Sequence, residues 1–484
     1  MPLKTVFLIA LLMAILPPTY AQQTQTLQTR IGELTFENNF EQGIPVKSTA
    51  QHLFDTIDFQ RACQAYIWGL PIVSMYEWMN THDQYGGERG QIIYHESYQS
   101  KLGGLTYNTS TPYALTFLDI SKNPVMVTIP DAPLRGAMHN MWQIGLKQMT
   151  EPGSYLFVGP GQALPASIDA EVIQADTNHI FLGLRLMDDT NEKRMEALAQ
   201  LKITNLQGKP VSKKEAIIVK TGIDAKQPRG AAYWRVLNQA IQAEPVHERD
   251  RMMMDMLAPL GIKKEQELKL DSRQESILEE AATVGEAMAK TIDFNKTGRM
   301  AQAEYGPEGN TWEIATVSTP EQNRGNGMDL DGRAAWFYEA VTNDTAMHGM
   351  VNGGWGQVYL DNYHSDAGTG LDGGKHYTLD IPKDADYAET FWTVTVYNVE
   401  NRAIINNEQG RADIGSNIEG TVTNPDGSYT FHFAPEKPGG VSEANWVQTN
   451  SGENWFVYFR AYSPSKAFVK QESQSIVPNF REVK

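Results

Sequence analysis

The sequence predicts a mainly β protein with helical segments, built as two β-sandwich or jelly-roll-like domains joined by a helical middle region. Three observations carry this. Short β-branched and aromatic runs separated by turn signals fill 113–186 and return over 378–462. Between them, over 191–350, apolar residues recur at helical spacing. At 484 residues the chain is longer than one core usually serves, and its 10 Trp, 20 Tyr and 17 Phe suit β-rich packing.

The elements follow in chain order. Residues 1–21 read as a cleavable signal peptide: Lys4, an apolar run from Val6 to Leu16, then Pro17-Pro18 and the small-residue pattern of Thr19-Tyr20-Ala21. The run is too short to span a bilayer, which needs roughly 20 residues. The protein is therefore expected to be exported, to a periplasm or the medium, with no membrane insertion.

Residues 22–54 form a lead-in, of which 22–44 is Gln/Thr-rich, without clear periodicity, and expected to be loose. An N-terminal domain follows over 55–190. It opens with a helix over 55–80, kinked near Gly69-Leu70-Pro71. Tyr113–Asp119 and Val125–Ile129 read as strands around the turn Ser121-Lys122-Asn123-Pro124. Met141–Ile144, Tyr155–Val158 and His179–Leu186 continue the pattern.

The connecting region, 191–350, reads as mostly helical, with a capping box at Ser272-Arg273-Gln274-Glu275 and a last helix over Trp336–Met350. A C-terminal β domain covers 351–472, with strands at Thr378–Ile381, Phe391–Asn398, Tyr429–Phe433 and Trp455–Tyr462. Asn424-Pro425-Asp426-Gly427-Ser428 is its clearest turn. Residues 473–484 are a tail.

A net charge of −17 argues against tracking a phosphate backbone or adhering to anionic lipid, so nucleic acid and membrane surfaces are not expected as partners. A small-molecule ligand and a homo-oligomer stay open. Cys63 is the one cysteine, so no intramolecular disulfide forms. Its place on the apolar face of Phe59, Ala62, Tyr66 and Ile67 makes it a small core residue.

The chain has no nucleophile-elbow, P-loop, dinucleotide or zinc-protease motif, so no cofactor, no resident metal and no catalytic residue is evident. His82 and His95 are too far apart to argue for a metal, and Gly368–Gly374 reads as a loop. Asp361–Asp366 offers oxygens but lacks calcium-loop spacing.

Two clusters remain. In the last strand, alternation sets Trp455, Val457, Phe459 and Ala461 on one face and Phe456, Tyr458, Arg460 and Tyr462 on the other. A guanidinium beside two phenols suits an anion or carboxylate, or else forms an outer sheet face with Arg stacked on Tyr. Asn445 and Trp446, just upstream, are candidates to add an amide and an aromatic wall to that place. The second cluster runs from Tyr107 to Tyr113, where Asn108 either caps the turn or presents its amide to a ligand next to Tyr113.

Taken together, Ala65–Val73, Asn108–Tyr113, Leu118–Ile120, Val127–Asp131 and Val158–Gly161 resemble domain of unknown function 1254. Phe391–Tyr397, Asn424–Ser428, Asn445–Thr449 and Phe459–Pro464 resemble domain of unknown function 1214. The two occur paired in that order in exported bacterial proteins. Ser110 stands where the N-terminal family usually has Asp, so acid chemistry hosted there elsewhere is not implied here, and the usual Trp-Lys-Leu-Pro ending is absent. The resemblance implies architecture and compartment but no reaction. The functional expectation is an enzyme acting on a small polar or anionic molecule at the domain junction. The alternative is a non-catalytic carbohydrate-binding or assembly protein.

Overall fold

The computed structural model describes residues 23–165, 167–212, 215–350 and 356–484. The expected signal peptide lies outside the described residues. The chain divides after Gln60 into two compact units.

The first unit contains a hairpin of β1 (Thr24–Thr29) and β2 (Gly32–Glu37), where a loose segment was expected. Its cross-strand side-chain hydrogen bonds join polar pairs, Thr26 Oγ1 to Thr35 Oγ1 at 2.9 Å and Gln28 Nε2 to Glu33 Oε1 at 2.7 Å, beside one apolar pair, Leu27 and Leu34. So few apolar residues make a weak pattern in the sequence. Helix α1 spans Lys47–Gln84, longer at both ends than the predicted 55–80. From Ala62 to Met79 it is buried on nearly every side, as a helix through a core must be. Cys63 is 2% exposed, and burial, then Glu280, pushes its thiol up to about 11, consistent with an inert core residue.

In the second unit, ten short strands form two sheets: β3 (Ile93–His95), β4 (Tyr113–Asp119), β5 (Val125–Ile129), β6 (Leu134–Asn140), β7 (Gly145–Met149), β8 (Gly153–Val158), β9 (Glu171–Gln174), β10 (His179–Leu186), β11 (Lys202–Asn205) and β12 (Ile217–Ile218). One sheet runs β12-β3-β4-β10-β6-β7 and the other β11-β5-β8-β9. They share one apolar cluster, in which Val125, Val127 and Phe157 of the second sheet meet Leu118, Met138, Ile180, Leu182 and Leu184 of the first. The even positions of β10 supply that core, so its odd positions point away from it.

Met141–Ile144, predicted as a strand, is instead the turn joining β6 to β7. Gln143 adopts φ 65°, and Asn140 Oδ1 accepts from the Ile144 N–H at 2.9 Å. Met141 and Trp142 are apolar because they are buried, not because they are extended.

The middle region is helical: α2 (Asn191–Gln200), α3 (Ala231–Ala243), α4 (Arg251–Leu257) and α5 (Ser272–Asp293). The capping box of α5 lies one residue earlier than predicted, between Asp271 and Gln274. The predicted Trp336–Met350 helix is replaced by α6 (Leu330–Phe337), capped by Asp329, and a separate short turn at Thr345–Met347. Thr342 at φ 62° breaks the path, and its carbonyl accepts from Trp336 Nε1 at 2.7 Å. No helix among the described residues is long and apolar enough to cross a membrane.

The C-terminal part returns to β structure with β13 (Glu313–Ile314), β14 (Gly356–Asn362), β15 (Tyr377–Ile381), β16 (Ala388–Asn398), β17 (Asp413–Gly415), β18 (Tyr429–Ala434), β19 (Trp446–Gln448), β20 (Trp455–Pro464) and β21 (Arg481–Glu482). The sheets run β13-β14-β20-β16-β17 and β19-β18-β15-β21.

Candidate functional site

A cavity of about 300 Å³ lies between the β4–β10–β6 face of the N-terminal sheet and the β14–β20–β16 face of the C-terminal one. Strand register lays out both surfaces. On the floor, Arg135, Arg185 and Tyr113 stand in one cross-strand row; Ala137, Gly183 and Leu115 form the next, and His139, Phe181 and Phe117 the third. On the roof, Gln357, Tyr462 and Phe391 align, followed by Tyr359, Arg460 and Thr393, then Asp361, Tyr458 and Thr395.

Arg460 is 4% exposed. It is not on an outer face, although it does pack on tyrosines: its guanidinium lies 5.0–5.5 Å from the ring centroids of Tyr359, Tyr397 and Tyr458. Its Nη2 donates to the Thr106 carbonyl at 2.7 Å and Nη1 to Thr395 Oγ1 at 3.2 Å. Arg185 Nη2 donates to Gln357 Oε1 at 3.3 Å, which ties floor to roof. Both guanidinia face the same three phenols, Tyr113, Tyr359 and Tyr462. Among the described residues neither arginine makes an ion pair with a carboxylate. Burial pushes the Tyr359 phenol up to about 12 and raises Tyr462 despite both guanidinia, so these two phenols are neutral near pH 7.

Tyr462 stacks on Phe391 at 4.3 Å, and its buried hydroxyl has no hydrogen-bond partner among the described residues. Tyr458 contributes its ring, while its hydroxyl donates to Glu339 Oε1 behind the roof. Asn108 does two things at once. Its Oδ1 caps the turn, accepting from the Thr111 N–H at 3.0 Å and Thr111 Oγ1 at 3.1 Å, while its Nδ2 donates to the Tyr113 hydroxyl at the cavity wall. Ser110 Oγ donates to the same Oδ1 at 3.3 Å.

Asn445 and Trp446 do not reach this place. They belong to the neighbouring sheet, where Asn445 Nδ2 donates to the Val422 and Thr430 carbonyls and Trp446 Nε1 donates to the Ala434 carbonyl. A few residues of sequence separation put them one sheet away from Arg460.

The structure adds residues that the sequence reading missed. Arg135 and Arg185 are two. His139, 2% exposed, is a third; its Nε2 lies 3.5 Å from Asp344 Oδ2, and its Nδ1 has no hydrogen-bond partner among the described residues. Burial works against the charged form of Asp344, but hydrogen bonding to His139 and Gln148 and the charge of Arg185 prevail, and its carboxyl sits below the usual range. Lys101, 1% exposed, donates to the Thr111 carbonyl at 2.7 Å and so supports the Asn108 turn; burial lowers its ammonium to about 7. The signal for Arg185 was available, since it sits at an odd position of a strand whose even positions are apolar.

Three residues lining the cavity hold left-handed backbone without being glycine: Thr106 at φ 40°, Thr342 at φ 62° and Ser463 at φ 52°. Such conformations cost of order 1–3 kcal/mol each and cluster at functional sites. Thr106 uses the strain to aim its carbonyl at Arg460.

Behind the roof, Asp293, Glu339 and Asp361 bring carboxylate oxygens within 4.8 Å of one another, a donor set that could hold a metal. The chain supplies its own cation there: Lys296 Nζ lies 2.7 Å from Asp293 Oδ1 and 2.6 Å from Asp361 Oδ2. Burial raises both aspartates well above the usual carboxylate range. His82 and His95 are separately engaged with the Gln91 and Ser100 carbonyls, and burial lowers both, His95 to about 4.

With this geometry in place, comparison with known proteins adds the following. A family model described as protein of unknown function (DUF1254) matches residues 92–205, and a second, protein of unknown function (DUF1214), matches residues 356–466. The pair and its order are those the sequence resemblance gave. No curated protein matches. Among solved structures, the VPA0106 protein of Vibrio parahaemolyticus superposes with a TM-score of 0.54 at 18% identity, covering 88% of this chain and 100% of its own. It shares the fold. An uncharacterized protein from Burkholderia cenocepacia aligns with a TM-score of 0.37 at 12% identity, over 90% of this chain and 97% of its own.

Proposed function

We propose that the protein binds a small anionic molecule, a carboxylate, in the cavity between its two β regions. One observation carries this reading. In a chain of net charge −17, the residues lining the cavity include three arginines, Arg135, Arg185 and Arg460, against one acid, Asp344. The guanidinia of Arg185 and Arg460, which face the same phenols and make no ion pair with a carboxylate among the described residues, are stabilised by an incoming anion, which they can grip in bidentate fashion. A volume of about 300 Å³ falls at the lower end of small-ligand sites, and Phe181, Trp336 and Phe391 offer an apolar body its walls.

The rival reading, a carbohydrate platform of exposed aromatics, draws no support from the described residues, in which every tryptophan is buried. The leader pattern of residues 1–21 supports export, which is proposed with the binding function. The test is a thermal-shift screen of small carboxylic acids against their neutral amides. Stabilisation by acids that weakens in Arg185→Met supports the reading; equal shifts from acids and amides, or none from either, reject it.

A further inference from the structure

We infer that the ligand is an elongated carboxylic acid carrying a second hydrogen-bonding group at the end remote from its carboxylate. The inference rests on the anion reading above and extends it to a substrate class. The floor of the cavity is ordered along the strands. Arg135 and Arg185 stand at one end and His139 at the other, four residues apart on β6, which at strand rise is about 13 Å between Cα atoms.

The row between them holds Ala137 and Gly183, the two smallest side chains of the floor. Large residues there would divide the cavity; these leave it continuous from the guanidinia to the imidazole. A Cβ on Gly183 would already stand 3.2 Å from the Phe181 ring, so that residue keeps the middle of the floor low.

The far end is polar by construction. His139 is buried, lines the cavity and sets Nε2 toward Asp344, while its Nδ1 has no hydrogen-bond partner among the described residues. Buried polar atoms left without partners are costly, and a site that leaves them so is complete only with a ligand group that bonds them. Asp344 Oδ2, 3.5 Å from Nε2, orients the ring, and Asp344 is fixed in turn by the Ala346 N–H at 2.9 Å. A ligand hydroxyl or carbonyl at this end gives the imidazole its missing partner while the carboxylate rests among Arg185, Arg460 and the Tyr462 hydroxyl.

The test is isothermal titration of the full chain with 4-hydroxybutanoate, 6-hydroxyhexanoate, 8-hydroxyoctanoate and 10-hydroxydecanoate, each beside the unsubstituted acid of the same length. Affinity is expected to rise along the series to an optimum at the eight- to ten-carbon acids, whose extended chains with a terminal hydroxyl span about 11–13 Å, close to the length that strand rise sets for the floor. At that length the terminal hydroxyl should tighten binding about tenfold, because the plain acid leaves the imidazole unpaired. His139→Phe should remove the hydroxyl increment and leave the plain acid bound. Ala137→Phe should shift the optimum to the short acids, and it serves if His139→Phe fails to fold. Affinity independent of length, no gain from the hydroxyl, or a gain that survives in His139→Phe overturns the inference and leaves the anion site standing. If no acid of either series binds, the anion reading falls and this inference with it.

Discussion

Replacing Arg460 by methionine sets two large effects against each other. The substitution removes charge-assisted hydrogen bonds to the Thr106 carbonyl and Thr395 Oγ1. At about 1.5–3 kcal/mol each, these lose about 3–6 kcal/mol. The stacked contacts with Tyr359, Tyr397 and Tyr458 add about 1–2 kcal/mol, part of which a thioether retains. Against this, burying a guanidinium with no carboxylate costs several kcal/mol, and the methionine does not incur it. The terms cancel to within about 2 kcal/mol, so the fold should be nearly as stable as wild type. Ligand binding has no such offset. Removing one partner of a buried charge pair costs about 2–5 kcal/mol, or roughly 30- to 4,000-fold in affinity. Urea melts and titration of octanoate, on wild type and Arg460→Met, measure the two quantities separately. A stability loss above about 4 kcal/mol with octanoate binding intact would show that Arg460 serves the fold alone.

Further outcomes follow from other residues. Lys101, lowered to about 7 from the usual 10.5 by burial, is disfavoured as an ammonium in the folded state. Its cost therefore grows as pH falls from 10.5 toward 7 and is level below. The urea-stability difference between Lys101→Met and wild type should widen over that window by about 1.4 kcal/mol per pH unit; a gap constant from pH 7 to 10 rejects the assignment. Ala137→Phe should abolish octanoate binding while moving the melting temperature by only a few degrees, since Ala137 borders the cavity rather than the apolar core. Cys63→Ala should cost at most about 2–3 kcal/mol, as the loss of one small buried group, and native Cys63 should resist thiol reagents; rapid labelling contradicts the core placement.

Much of the fold was legible where strands alternate or run β-branched. Tyr113–Asp119, Val125–Ile129 and His179–Leu186 lie where the pattern put them. What escaped had physical reasons. The Thr24–Glu37 hairpin is joined mainly by polar cross-strand pairs, and its few apolar residues, Leu27, Leu34 and Phe36, make only a weak hydrophobic period. The Trp336–Met350 helix was read from an apolar run that is buried but turns sharply at Thr342.

In the candidate site, the alternation that groups Tyr458, Arg460 and Tyr462 on one strand face puts all three at the cavity, which Asn108 and Tyr113 also line. Applied to His179–Leu186 it would have found Arg185 as well. His139 was lost with the misplaced strand at Met141–Ile144: the true strand ends at Asn140 and carries His139 on its cavity face. Asn445 and Trp446 show the converse limit, because nearness along the chain does not survive a change of sheet.

The most direct measurement of the central claim compares octanoate with octanamide, equal in shape and different in charge, by isothermal titration of the wild-type protein. The cavity reading predicts that octanoate binds and that octanamide is at least about tenfold weaker, since a neutral amide leaves Arg185 and Arg460 without an anion. Equal affinities, or no binding of octanoate or of any shorter acid, would contradict it.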